Sequence, residues 1–162
     1  EVSALMNILV EYFTSEIDEL HRKNVRVRVL GDLEGLPPLQ KQTVMDAIAR
    51  TRDNTGLKFN IALNYGGRAE LVRAAKLLAE HGLKPEEIDE AAFEARLYTA
   101  GMPDVDLLIR TSGEMRVSNF MPWQIAYAEI IFNPVLWPDY TREEFRKDLF
   151  RYAGRDRRFG KV

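Results

Sequence analysis

The stretch that most constrains the fold is Val105-Asp106-Leu107-Leu108-Ile109, an apolar run closed off by Pro103 before it and by Ser112-Gly113 after it. Too short for a helix and flanked by turn residues, it reads as a strand buried on both faces, and such strands belong to parallel sheets covered by helices. The loop that follows carries Arg110 and Arg116, and Ser118-Asn119 offers N-cap chemistry ahead of Phe120 to Ala128, a segment with helical composition. In an open α/β sheet, ligands sit beyond the carboxyl ends of the strands. Arg110, Arg116 and the Ser118 hydroxyl are therefore expected in one crevice. Guanidinium forks match phosphate or carboxylate oxygens in pairs, and a helix N-terminus adds favourable dipole to the same anion. The chemistry asks for an oxyanion, a phosphate or diphosphate. The alternative is that the arginines are solvated or pair with Asp104, Asp106 or Glu114.

The remaining chain alternates helices and strands. Val2, Leu5, Met6, Leu9, Val10, Phe13, Ile17 and Leu20 recur at helical spacing, which predicts an amphipathic helix over Val2 to His21. Val25 to Leu30 alternates with period two and reads as a strand with Arg26 and Arg28 on one side. Leu39 to Arg52 is a helix, Leu57 to Leu63 a second strand, and Ala69 to His81 a helix stopped by Gly82. Between the second strand and that helix, Asn64-Tyr65-Gly66-Gly67-Arg68 is either a tight structural turn or a close backbone approach to a ligand. It lacks dinucleotide-fingerprint spacing. A helical stretch is expected from Lys84-Pro85 to about Leu97, a last strand at Glu129 to Phe132, and a helix from the Thr141-x-x-Glu144 capping box to Ala153. Glu129 stands in front of three apolar residues, a poor place for a charge unless a partner such as an arginine binds it. His21 and His81 lie near helix ends without metal-ligand company.

Composition sets outer bounds. The 162 residues, 46% of them hydrophobic, suffice for one α/β domain, taken to span residues 1–162. With 23 Lys and Arg against 25 Asp and Glu, nothing favours nucleic-acid binding, so an anion site must be built locally. The absence of cysteine excludes disulfides and thiolate zinc sites and is compatible with a reducing cytoplasm. No apolar run approaches the roughly 20 residues of a membrane-spanning helix, and no signal-peptide pattern opens the chain. A soluble protein is expected.

The run DLLIRTSGEMRVSNFMPWQIAYAEIIFNPVLWPDY, Asp106 to Tyr140, resembles the C-terminal signature of the cis-prenyltransferases, the undecaprenyl diphosphate synthase family. NTGLKFNIALNYGGR, Asn54 to Arg68, is similar to a second block of that family, and RDRRFG, Arg155 to Gly160, to its tail. The resemblance runs from Glu1 nearly to Val162. It implies an α/β fold with a mostly parallel central sheet, helices on both faces, and an incomplete N-terminal side. It implies condensation of isopentenyl diphosphate onto an allylic diphosphate such as farnesyl diphosphate, with a Z double bond formed at each addition and diphosphate released. Carried over by position, Arg110, Arg116 and Ser118, with the Val117 backbone between them, would grip isopentenyl diphosphate. Arg158 and Gly160 would reach that diphosphate from the tail, and Glu129 would help hold magnesium, which binds through few carboxylates plus phosphate oxygens. The Asn64 to Arg68 block would lie near the active crevice and subunit interface, which makes Arg68 a secondary candidate. The helix after the first strand would help line a hydrocarbon tunnel.

The resemblance further implies a homodimer, to which the apolar character of the Ile125 to Trp137 region lends slight support, a cytoplasmic enzyme, and peripheral contact with the inner membrane face through a lipid product. The family's N-terminal Asp-Gly-Asn-Gly-Arg-Trp-like block, with its essential aspartate, has no counterpart here. The chain opens inside what resembles the middle of the enzyme, so no catalytic residue is assigned and the segment alone is expected to be inactive. Met115 stands where some members carry histidine. A non-catalytic partner subunit and a general phosphate-binding module are the competing readings.

Overall fold

The computed structural model describes residues 2–155, with side chains from 7 onward. Two compact units divide the chain, Glu1–Ala100 and Gly101–Val162.

The first unit runs α1 (Val2–Arg22), β1 (Arg26–Leu30), α2 (Pro38–Thr51), β2 (Lys58–Ala62), α3 (Gly67–Glu80) and a short α4 (Glu90–Glu94). The strand and helix positions follow the hydrophobic periods of the sequence to within one or two residues. Its core joins Phe13 of α1, Val27 of β1, and Val44 and Ala47 of α2, with Leu9, Ile17, Leu20, Val29 and Ile48 packed around them. Each buried aliphatic side chain contributes roughly 1.5–3 kcal/mol of apolar transfer free energy. β1 and β2 pair in parallel with Val27 opposite Phe59. Their carboxyl ends close so tightly that a Cβ on Gly31, at φ +135°, would lie 2.0 Å from the Leu63 carbonyl oxygen. Only glycine fits there. Thr51, fully buried, ties the end of α2 to the sheet: its hydroxyl accepts from the Val27 amide at 3.0 Å and donates to the Ala47 carbonyl at 2.9 Å. β2 is mostly exposed, with Phe59 37% and neighbouring Leu57 69% accessible. That departs from the two-sided cover typical of parallel strands.

The helical stretch expected from Lys84 to Leu97 is instead broken into a single 3-10 turn at Pro85–Glu87 and α4. Asp89 breaks it. In extended backbone conformation, its carboxylate accepts the Ala92 amide at 2.7 Å, so a new N-cap replaces continuous helix.

The second unit holds β3 (Leu107–Arg110), β4 (Glu129–Phe132) and α5 (Arg142–Ala153). The strands are parallel, with Leu107 opposite Glu129 and Arg110 opposite Phe132. Thr141 caps α5 by accepting the Glu144 amide. The described strands thus form two parallel pairs, β1 and β2 joined through α2, in the α/β class expected from the sequence.

The helix expected over Phe120 to Ala128 does not form. Ser118, Asn119 and Met121 all have positive φ, at 47°, 63° and 51°, which unwinds the segment before Pro122. Only isolated turns follow, such as Ile125 N–H to the Met121 carbonyl at 3.0 Å. Ser118 is therefore no N-cap, and the helix-dipole contribution expected for the anion site falls away. Among the described residues no helix is long and apolar enough to cross a membrane.

Candidate functional site

Arg110 is the last residue of β3, so the strand delivers its guanidinium to the carboxyl edge of the β3–β4 pair. The loop leaving it is tied to the chain beyond β4. Ser112 N–H donates to the Val135 carbonyl at 2.7 Å and Gly113 N–H to the Asn133 carbonyl at 3.0 Å. Asn133, 1% exposed, donates through its side chain to Asp148 Oδ2 at 2.8 Å, and its own Oδ1 accepts the Val135 amide at 2.9 Å. Asp148 of α5 is itself wholly buried and also accepts from Tyr140 Oη at 2.8 Å and Arg151 Nη1 at 3.0 Å. One buried carboxylate on a helix thereby fixes the segment against which the arginine loop rests. Burial, and after it the bond to Asp148, push the Tyr140 phenol up to about 12.

Within the loop, Arg110 and Arg116 converge. Arg110 Nη2 lies 3.4 Å from Glu114 Oε2, and Arg116 Nη2 contacts the same oxygen. Arg110 Nε is buried without a hydrogen-bond partner among the described residues. Two guanidiniums thus share one carboxylate oxygen of Glu114, with the Arg110 Nε donor left over. The two arginines meet on Glu114, the pairing alternative read from the sequence. Val117 is half-buried, and Ser118, expected in the same crevice, is exposed in left-handed conformation. Such conformations cost of order 1–3 kcal/mol each and persist where surrounding structure imposes them.

Glu129 opens β4 and is engaged by Arg155, which also donates to the Ile130 carbonyl. The partner anticipated for a partly buried carboxylate is thus an arginine of the chain. Among the described residues no cluster of three His, Asp or Glu is arranged for a metal ion. A hard carboxylate oxygen suits magnesium in kind, while the remaining ligands would have to be phosphate oxygens and water. Arg158 and Gly160 lie outside the described residues. Arg68 is exposed at the start of α3 in the first unit. Nearby, Glu70 is 1% exposed and accepts from Tyr65 Oη at 2.5 Å and from the Tyr98 amide at 2.7 Å. This locks the Asn64 to Arg68 turn in place. Sequence reading missed that lock, as it missed Asp148, because an acidic residue on a helix otherwise reads as solvated.

A family model described as "Putative undecaprenyl diphosphate synthase" matches residues 1–160. The chain belongs to the undecaprenyl diphosphate synthase family. Isoprenyl transferase of Heliobacterium mobile is 51% identical across the whole chain, which spans 64% of that relative. Isoprenyl transferase of Clostridium perfringens is 48% identical, with 66% of its length spanned. The chain thus corresponds to just under two thirds of these curated relatives. Among solved structures, lavandulyl diphosphate synthase from Lavandula x intermedia, in complex with dimethylallyl diphosphate, superposes with a TM-score of 0.95 at 38% identity, covering 99% of this chain and 72% of that one. A probable undecaprenyl diphosphate synthase from Campylobacter jejuni gives 0.88 at 32% identity, covering 99% and 75%. The family's α/β fold is therefore the fold of this chain.

Proposed function

We propose that the natural polypeptide carrying this chain is a prenyltransferase that condenses isopentenyl diphosphate onto an allylic prenyl diphosphate such as farnesyl diphosphate, lengthening a Z-prenyl chain toward a polyprenyl diphosphate lipid carrier. In this reading the chain contributes the isopentenyl diphosphate site. The observation that carries it is the convergence of Arg110 and Arg116 on one oxygen, with the Arg110 Nε donor unspent. The diphosphate would displace Glu114 and gather both guanidiniums, with the Val117 backbone and Ser118 hydroxyl completing the grip and Arg158 and Gly160 joining from the tail. Magnesium, when bound at Glu129, supplies neutralisation of phosphate charge. The arginines stabilise the same charge from the protein side.

The reading extends to a homodimer. Tyr127, Leu136 and Trp137, at 84%, 58% and 71% exposure, support it as apolar surface that invites cover. It extends also to a cytoplasmic location with peripheral contact at the inner membrane face, where a lipid product would be handed on.

The test is incubation of the full natural protein with isopentenyl diphosphate, farnesyl diphosphate and magnesium, followed by chromatography of the products. A lengthened Z-prenyl diphosphate is expected. Diphosphate binding without any elongation would refute the enzyme and leave a phosphate-binding module or a non-catalytic partner subunit.

A further inference from the structure

Glu129 and Asn133 donate their amides into β3, to the Asp106 and Arg110 carbonyls at 3.0 and 2.8 Å. Alternation along the strand turns the intervening Ile130 carbonyl toward the opposite edge of β4, which pairs with no strand among the described residues. Arg155, just past the C-terminal end of α5, reaches that edge and donates to the Ile130 carbonyl through Nη1 and Nη2, each at 3.3 Å, while Nη1 also contacts Glu129 Oε2. The guanidinium is therefore anchored on backbone and carboxylate at once. Such a group is oriented by the fold toward Glu129, unlike a wandering surface arginine.

Resting on the reading of Glu129 as a cation ligand, we propose that Arg155 is the resident counter-ion of Glu129 in the cation-free protein and sets the affinity of that carboxylate for a divalent cation. The guanidinium and the cation compete for the same oxygen. On binding a divalent cation, Glu129 would exchange the single positive charge of the guanidinium for a double one. Arg155 acts here as a positioning residue. It keeps the carboxylate satisfied beside apolar neighbours until the cation comes, and its grip must be weak enough to yield. The pair meets that condition, since the two side chains are 40% and 28% exposed and therefore solvent-screened. Pairs of this kind hold an equilibrium by about two- to fivefold.

The experiment uses the full natural protein with Mn2+ as a paramagnetic probe in the presence of inorganic diphosphate, read by the electron paramagnetic resonance of free Mn2+. Arg155→Ala is expected to tighten Mn2+ binding about two- to fivefold, with Arg155→Lys falling between it and the parent. Glu129→Gln is expected to weaken Mn2+ binding and to cancel the gain from Arg155→Ala. Should Arg155→Ala fail to fold because the β4 edge is uncapped, Arg155→Gln keeps a neutral donor for the Ile130 carbonyl and is expected to show the same tightening. If Glu129→Gln weakens Mn2+ binding while the Arg155 variants leave it unchanged or weaken it, the counter-ion role is overturned and the cation site stands. If Glu129→Gln has no effect, both fall.

Discussion

Arg110→Ala offers the sharpest trial of the proposed diphosphate seat. A hydrogen bond to a charged group contributes about 1.5–3 kcal/mol, and a guanidinium fork on a diphosphate makes two of them, so the gross loss is about 3–6 kcal/mol. Against this stands what the free protein already has. Arg110 gives up its 3.4 Å contact with Glu114, and with side chains 39% and 33% exposed that pair holds no more than about 1 kcal/mol. Water refilling the site recovers part of the remainder. The net loss is about 2–4 kcal/mol, a fall of roughly 30- to 900-fold in kcat/KM for isopentenyl diphosphate. Because the arginine would grip the phosphate and not the reacting carbons, the change is expected mainly in KM. Steady-state kinetics with labelled isopentenyl diphosphate measures it, and denaturant unfolding of the same variant provides the control. The fold should lose less than about 1 kcal/mol, since Arg110 Nε bonds no described residue and the ion pair is half-exposed. A kcat/KM within threefold of the parent in a stably folded variant would sink the assignment.

Two further expectations concern the scaffold behind that loop. Asp148→Ala strands the Asn133 amide and the Tyr140 hydroxyl without their acceptor and is expected to cost about 2–4 kcal/mol in urea unfolding, whereas loss of the solvent-facing Arg151 pair should add little. The Tyr140 phenol, raised from 10.0 to about 12, is a group whose neutral form the fold prefers. The native state then holds more protons than the unfolded one at alkaline pH. Its contribution is complete below pH 10 and drains away as pH climbs toward 12, so urea midpoints recorded across that window should fall less steeply in Tyr140→Phe than in the parent.

How much could be foreseen divides by the range of the interaction. Helix and strand positions were legible because they depend on period and on neighbours a few residues away. α1 follows its apolar stripe, α5 starts at its Thr141 cap, and β4 occupies the apolar run behind Glu129. The segment from Phe120 to Ala128 defeated the same rules, since composition could not reveal left-handed backbone at Ser118 and Asn119 just upstream and at Met121 within it. The acidic stretch after Lys84 reads as helix from composition, whereas the Asp89 carboxylate competes for the Ala92 amide and starts a new helix there.

The sequence by itself determined the class of fold, the family, and the presence of two arginines at and beyond the end of β3, all of which rest on local pattern and on motifs written contiguously, whereas the burial expected of that strand on both faces is only partial. Tertiary structure alone decided what those charges meet. Glu114 occupies the point where both guanidiniums converge, Arg155 reaches across 26 positions to Glu129, and Asp148 reaches back 15 to Asn133. The physical reason is that an ionic or hydrogen-bonding side chain has many chemically equivalent partners in a sequence, and only the path of the backbone brings one of them within 3 or 4 Å.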